Sequence, residues 1–503
     1  MPQELTRTER ACEQGQVLQP LHVEIPYQEP AALFSRFLGP GAVLLESAKG
    51  PWQTARYSFL CFEPYMGFRL KDGLAELVLR GRRLLGPEQR PLGRLRGLVC
   101  SYPQRPLEGL PPFQGGAVGL LSYDFVHYIE RCLPKSTLDD LQVPDAHFFF
   151  YDRLIAFDHL QGRAWAICCP GARESATARG HQPQRLHPRQ AREEAREALE
   201  EILLRLQRPA ELPPCRASAP VEIFQDVSEE QYIWMVQRAK QYIAAGDIFQ
   251  ANLSLRVHAP IGDVHPWWLY LHLREINPSP FACYMDMGDY HIVSSSPERL
   301  LRVHREVVET RPIAGTRPRG RDLREDEAMR AELLLSEKER AEHVMLIDLE
   351  RNDLGKVSAY GTVEVNELMC TEEYSHVIHI VSNVRGRLLR GKDMFDCIRA
   401  AFPGGTITGV PKVRCMQIID ELEPLRRGPY TGSVGYLGFS GSMDLNIVIR
   451  TFLVKGQKAY VQAGAGVVAD SEPQREYQES LKKAEALLLS LRRLKSCPET
   501  LIM

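Results

Sequence analysis

The sequence predicts a fold of mixed helices and strands in which the strands pair antiparallel. Three observations carry this reading. Short apolar runs bounded by Gly and Pro recur at both ends of the chain, such as VLLES at 43–47 and FACYMDM at 281–287, too short and too rich in β-branched and aromatic residues for long helices. Neighbouring runs, as at 281–287 and 290–296, are joined by few residues, whereas a parallel crossover needs about a dozen or more. Helical periodicity is confined to segments that carry their own start signals.

Up to about residue 170 the chain reads as strands and turns, with GGAVGLLSYDF at 115–125 and HFFFYDRLIAFDH at 147–159 as the clearest runs. From Pro170 to Pro188 it is polar and Arg-rich, the composition of a solvated linker. Pro188 then opens an amphipathic helix, with Ala191, Ala195, Ala198, Leu199, Ile202, Leu203 and Leu206 on one face, that stops at Pro209. A boundary at 210–225 follows, so the expected organisation is a first region over 1–175, a linker with its helix over 176–224, and a second region over 225–495. Ser228 and Gln231 form a capping box ahead of a helix that ends at Gly246. Strand-like runs at 248–257, 281–287 and 290–296 come next, then helices at 324–335 and 337–348. After Tyr430 the runs GSVGYLGFS, LNIVIRTFLV and KAYVQAGAGVV read as three strands before a final helix over 473–494.

The 503 residues suffice for a large packed core, and 62 basic against 64 acidic residues give a net charge of -2. That balance offers no electrostatic basis for binding nucleic acid. No apolar run reaches the ~18 residues of a membrane span, and the polar start MPQELTRTERACEQ lacks a signal-peptide core, so a cytoplasmic protein is expected. The 12 cysteines include no C-x-x-C pair, which points to reduced thiols.

Two glycine patterns imitate phosphate loops. Gly464, Gly466 and Ala469 fit a dinucleotide fingerprint, but the chain ends before the second parallel strand that such a unit needs. Gly386, Gly391 and Lys392 fit a P-loop, yet Asp393 replaces the hydroxyl that would meet magnesium and would repel phosphate.

Two carboxylate pairs are more informative. A second capping box, Ser336 with Glu339, places Glu339 and Glu342 three apart on one helix face, and Glu476 and Glu479 are three apart on another, with Lys483 one turn beyond. Like charges at that spacing repel unless a cation stands near, and Mg2+ is the candidate because it takes carboxylate oxygens and keeps places for an anionic ligand. Thr406, Tyr430, Arg450, Gly464 and Gly466 are of the types that bind a small polyanion, and Glu298 and His379 are candidate acid/base groups.

The ordered segments PPFQGGAVGLLSYD, SSSPERL, ETRPIAGTRPRG, RAEHVMLIDLERNDLGKV, FPGGTITGVPKVR, GYLGFSGSMDLNIVIRT and AGAGVVADSEPQREYQESLKKA resemble the chorismate-utilising enzymes over nearly the whole chain. The resemblance implies an α+β fold of large antiparallel sheets flanked by helices. It implies magnesium held by Glu342 and Glu479, with Glu339 and Glu476 behind them. Arg450 and Tyr430 would hold the enolpyruvyl carboxylate, and Gly315, Thr316, Thr406, Gly464, Ala465 and Gly466 would seat the substrate. Glu298 would protonate the departing 4-hydroxyl, with His379 and Lys483 beside the reacting ring.

Where the water-using members of the family carry a lysine, this chain has Gln250, and an amide cannot act as a base, so ammonia is the expected nucleophile. The stretches QANLS, NPSPFACYM and FPGGTITG resemble the members that give 4-amino-4-deoxychorismate for p-aminobenzoate and folate, the alternative being those that give anthranilate and pyruvate. Ala314 departs from the pattern of many aminodeoxychorismate-forming members, which have a lysine there, and puts a covalent route in doubt. No glutaminase motif with a nucleophilic Cys is present, so a separate glutamine amidotransferase subunit is expected to supply the ammonia. LLESAKGPWQTARYSF resembles the stretch where tryptophan binds in the family, with Ser47 read as a turn residue.

Overall fold

The computed structural model describes residues 19–176, 187–214, 221–373 and 377–494. Much of the polar linker expected at 170–188, and part of the boundary expected at 210–225, lie outside these described residues. Two sheets of twelve strands each dominate the fold, and every strand pairing in them is antiparallel.

The first sheet runs Leu21–Ile25, Arg163–Cys168, Arg153–Asp158, Tyr57–Cys61, Val43–Glu46, Phe281–Asp286, Tyr290–Ser296, Thr451–Lys455, Lys458–Val467, Gln250–Pro260 and Phe224–Gln225, with Gly409–Val410 also on Gln250–Pro260. The second runs Ile313–Pro318, Val377–Arg387, Val307–Arg311, Arg299–His304, Met443–Asn446, Ser433–Gly438, Gly116–Leu121, Ala146–Tyr151, Met66–Lys71, Leu74–Leu79 and Arg82–Pro87, with Glu364–Glu373 also on Val377–Arg387. Both sheets take strands from either side of 176–224, so that division of the sequence does not divide the sheets.

The inner faces of the sheets pack on each other through Val43, Phe59, Leu154 and Trp165 from one and Val118, Leu120, Tyr151 and Tyr436 from the other. Phe59 meets the Tyr436 ring edge-on at 5.5 Å between centroids. Helices cover the outer faces, because each apolar helix stripe and each apolar sheet face must bury the other. Pro188–Leu206 lies over Leu21–Ile25 and Arg163–Cys168, while Glu229–Ala244, Pro266–Ile276 and Pro473–Arg493 cover the same sheet further along. Pro91–Val99, Glu337–Gly355 and Met394–Ala401 cover the second sheet.

The start signals act as their chemistry requires. Ser228 accepts from the Gln231 amide at 3.2 Å and Ser336 from the Glu339 amide at 3.3 Å. Asp393 and Asp396 close a reciprocal capping box on Met394–Ala401, which gives the acid of the P-loop imitation a structural role. The run LNIVIRTFLV is one apolar stretch in the sequence but two strands in the structure: Met443–Asn446 belongs to the second sheet and Thr451–Lys455 to the first. The chain crosses between sheets over 447–450 and turns at Arg450, whose φ is +52°. No disulfide is present among the described residues, and no helix among them is long and apolar enough to cross a membrane.

Candidate active site

Two adjacent strands, Gln250–Pro260 and Lys458–Val467, form the floor of the candidate site, with Asn252 opposite Gly466 and Ser254 opposite Gly464. At the start of the first strand Gln250 donates from Nε2 to Glu342 Oε1 at 2.8 Å. That contact joins the strand to Glu337–Gly355, the helix whose Ser336 cap fixes the phase of Glu339 and Glu342. Gly466 makes the approach feasible, since a Cβ there would stand 2.4 Å from Gln250 Nε2 and 3.7 Å from Glu342 Oε1. Glu339 is paired with Arg317 at 3.2 Å, and Gly315, at φ +66°, passes so close that its Cβ would lie 3.0 Å from Glu339 Oε2.

The C-terminal helix Pro473–Arg493 forms a second wall. Lys483 donates from Nζ to the Gly464 carbonyl at 3.0 Å and pairs with Glu479 at 2.8 Å. The Arg450 guanidinium donates to the Lys483 carbonyl. Burial lowers its pKa to about 10, with Tyr430 and Glu479 opposing, so it stays cationic at neutral pH. Tyr430 is buried beside Gly464, where a Cβ would come within 2.9 Å of its hydroxyl.

Beneath Tyr430 lies a buried ion pair that the sequence reading missed. Arg427 binds Glu423 at 2.7 Å and the Asn252 carbonyl at 2.6 Å, and Glu423 accepts from the Ser254 amide at 2.9 Å. The Glu–Arg spacing of four in ELEPLRR, between Glu423 and Arg427, was the available signal.

The third wall carries the candidate acid/base groups. Glu298 is 5% exposed, and burial raises its pKa to about 8, which keeps it protonated at neutral pH. The Ile313 amide donates to its Oε1 at 3.4 Å, and the Thr406 hydroxyl faces it without a hydrogen bond of regular geometry. His379 sits on Val377–Arg387 with Nδ1 3.1 Å from the Gly315 carbonyl and 3.0 Å from the Thr316 hydroxyl, and Ala314 pairs with Ile380 on the same strand. Burial drops the His379 pKa to about 4, with Arg450 and Lys483 adding to the effect, so the ring is neutral. Lys483 acts electrostatically on Glu298 as well, which ties the walls together.

Thus Gln250, Glu342 and Gly466 meet directly, as do Gly464, Lys483, Glu479 and Arg450. Glu476 lies one turn earlier on the C-terminal helix, within the electrostatic reach of Tyr232. Among the described residues no three Asp, Glu, His or Cys side chains converge closely enough to ligate one ion. The hard carboxylate oxygens suit a divalent cation in donor chemistry, and Gly315 leaves space beside Glu339 where a Cβ would stand 3.0 Å from its Oε2. A cavity of about 1060 Å³ between the sheets, bordered by Ser47, Trp52, Tyr57, Phe281 and Arg302, shares none of these residues.

A family profile described as chorismate binding enzyme matches residues 41–489. The chain belongs to the chorismate-binding enzyme family. Among curated members it is 45% identical over 453 residues to aminodeoxychorismate synthase component 1 of Bacillus subtilis, covering 89% of this chain and 91% of that one. It is 46% identical over 450 residues to anthranilate synthase component 1 of Thermus thermophilus, covering 89% and 92%. The solved structure of anthranilate synthase component I from Streptococcus pneumoniae superposes with a TM-score of 0.74 at 36% identity, covering 86% of this chain and 92% of that chain. The fold of the family is therefore the fold described here, and this chorismate-binding enzyme carries its candidate site across both sheets.

Proposed function

We propose that this enzyme replaces the 4-hydroxyl of chorismate by an amino group to give 4-amino-4-deoxychorismate, using ammonia from a separate glutamine amidotransferase subunit. The observation that carries the proposal is Gln250, held by Glu342 at 2.8 Å: an amide cannot deprotonate water, whereas ammonia needs no base to attack. The similarity to the Bacillus subtilis aminodeoxychorismate synthase supports this product, and its designation as component 1 agrees with a second subunit.

In this reading Arg450 and Tyr430 bind the enolpyruvyl carboxylate, the guanidinium offering a fork of donors. Thr406, Gly315, Thr316, Gly464, Ala465 and Gly466 shape the floor on which the ring rests. Glu342 and Glu479 would hold Mg2+, with Glu339 and Glu476 behind them; when bound, the ion supplies neutralisation and orientation of the ring carboxylate. Lys483, fixed between the Gly464 carbonyl and Glu479, positions that end of the site. Glu298 gives its proton to the 4-hydroxyl as the C–O bond breaks, so that water departs. Neutral His379 packs beside the reacting carbon. Ala314 has no nucleophile, so the new C–N bond forms from ammonia directly.

A second reading, anthranilate formation with release of pyruvate, is favoured by the comparable likeness to the Thermus anthranilate synthase, 46% against 45% for the Bacillus aminodeoxychorismate synthase. Product identification by mass and fluorescence, after incubation with chorismate, Mg2+ and ammonium, decides between them. Aminodeoxychorismate without pyruvate is the expected result, and anthranilate with pyruvate would overturn the assignment.

A further inference from the structure

Pro424 ends the helix Lys412–Leu422 and leaves Glu423 and Arg427 on the turn that leads to Tyr430, where they are 4% and 3% exposed. Every nitrogen of the Arg427 fork is in use. Nη2 donates to the Asn252 carbonyl at 2.6 Å and to Glu423 Oε1 at 2.7 Å, and Nε to Glu423 Oε2 at 2.9 Å. Nη1 donates to the Ile407 carbonyl at 2.9 Å and to the Thr431 hydroxyl at 3.3 Å. Glu423 Oε1 also accepts from the Ser254 amide at 2.9 Å and from its hydroxyl at 2.8 Å, and that hydroxyl in turn accepts from the Gln462 side chain at 2.9 Å. The guanidinium carbon lies 5.6 Å from the centre of the Tyr430 ring.

The segments tied together in this way carry parts of the candidate site. Asn252 and Ser254 stand opposite Gly466 and Gly464, Ile407 follows Thr406, and Thr431 follows Tyr430. The Asn252 Oδ1, buried without a hydrogen-bond partner among the described residues, and the Tyr430 hydroxyl each come within 2.9 Å of the point where a Gly464 Cβ would stand. Arg427 thus holds the backbone from which both groups are presented. Stability is a poor reason for such a pair, because a buried ion pair can often be replaced by apolar residues of similar volume at little cost. A rigid planar fork that fixes several acceptors at set spacings is what an apolar side chain or an ammonium cannot replace.

We propose that Arg427 is a positioning residue: locked by Glu423, it sets the separation between the floor strand at Asn252 and the turn that carries Tyr430, and so the width of the slot over Gly464 in which the ligand carboxylate is held. It acts through Tyr430 and the floor, not on the ligand. The inference rests on the reading of Tyr430 as a carboxylate-binding group, so Tyr430→Phe is measured alongside.

Values of kcat and KM for chorismate are determined on the full chain, with Mg2+ and ammonium, for wild type, Arg427→Lys, Glu423→Gln, Tyr430→Phe and the double variant Arg427→Lys/Tyr430→Phe, each with a melting curve. Lysine keeps the charge but loses the fork, and glutamine keeps an acceptor for Ser254 while loosening the lock on Arg427. Each of these two changes raises KM by about tenfold or more while kcat stays within about threefold, the mark of lost binding common to ground and transition states. The Arg427→Lys and Tyr430→Phe effects fall well short of multiplying in the double variant, because one residue works through the other. Should lysine prevent folding, Glu423→Gln, which hardly alters the volume, carries the test. A folded Arg427→Lys or Glu423→Gln variant with the wild-type KM, or single effects that multiply in full, would overturn the inference. An unchanged KM in Tyr430→Phe would instead overturn the reading of Tyr430 itself.

Discussion

Gly466→Ala adds one methyl group at the narrowest point of the candidate site. Its Cβ would stand 2.4 Å from Gln250 Nε2, more than 1 Å inside ordinary contact, and the atom it strikes is the end of a flexible side chain rather than backbone. The strand can therefore keep its register while Gln250 swings away from Glu342. A hydrogen bond to a charged partner is worth about 1.5–3 kcal/mol, which as lost transition-state stabilisation amounts to about 10- to 150-fold in kcat/KM. The assay is kcat/KM for chorismate with Mg2+ and ammonium, paired with a melting curve. The expected result is a fall of that size with the melting temperature within a few degrees of wild type. A folded variant with unchanged kcat/KM would refute the argument that this contact organises the site.

Gly435→Ala tests the opposite case: its Cβ would meet the Asp444 carbonyl at 2.0 Å, so it should lower the yield of folded protein and the melting temperature, because backbone cannot move aside as a side chain can. Glu342→Ala should abolish activity, and a variant whose rate still rises with Mg2+ as in wild type would dismiss that residue as a metal ligand. Because burial raises Glu298 from the ordinary carboxylate range to about 8, it is protonated below that pH, so the rate should fall as pH rises through about 8. Glu298→Gln should remove that limb together with most of the rate, and a retained limb would assign it to another group.

What was legible in the sequence was mainly local. Ser228 with Gln231 and Ser336 with Glu339 marked helix starts because a cap is decided within four residues, and Pro188 opened its helix for the same reason. Pairings such as Val43–Glu46 with Phe281–Asp286 join residues more than two hundred positions apart, and no local pattern encodes them. The change of sheet over 447–450 was hidden because that stretch stays apolar, its one irregularity being Arg450. The candidate site divides likewise. The residue types at Glu342, Arg450 and Glu298 were readable through the family resemblance. The Gln250 contact, the Arg317 pairing of Glu339 and the Glu423–Arg427 support under Tyr430 arise only once distant elements meet.

The late strands have a consequence for how the protein is made. Thr451–Lys455 and Lys458–Val467 join the two halves of one sheet, and Ser433–Gly438 and Met443–Asn446 join the two halves of the other. Until the ribosome has released these last segments, the nascent chain holds four half-sheets with unpaired margins, the kind of surface that invites aggregation. A stop ahead of Ser433 should therefore be as ruinous as one far earlier, and both sheets should wait on these four strands instead of folding in step with synthesis.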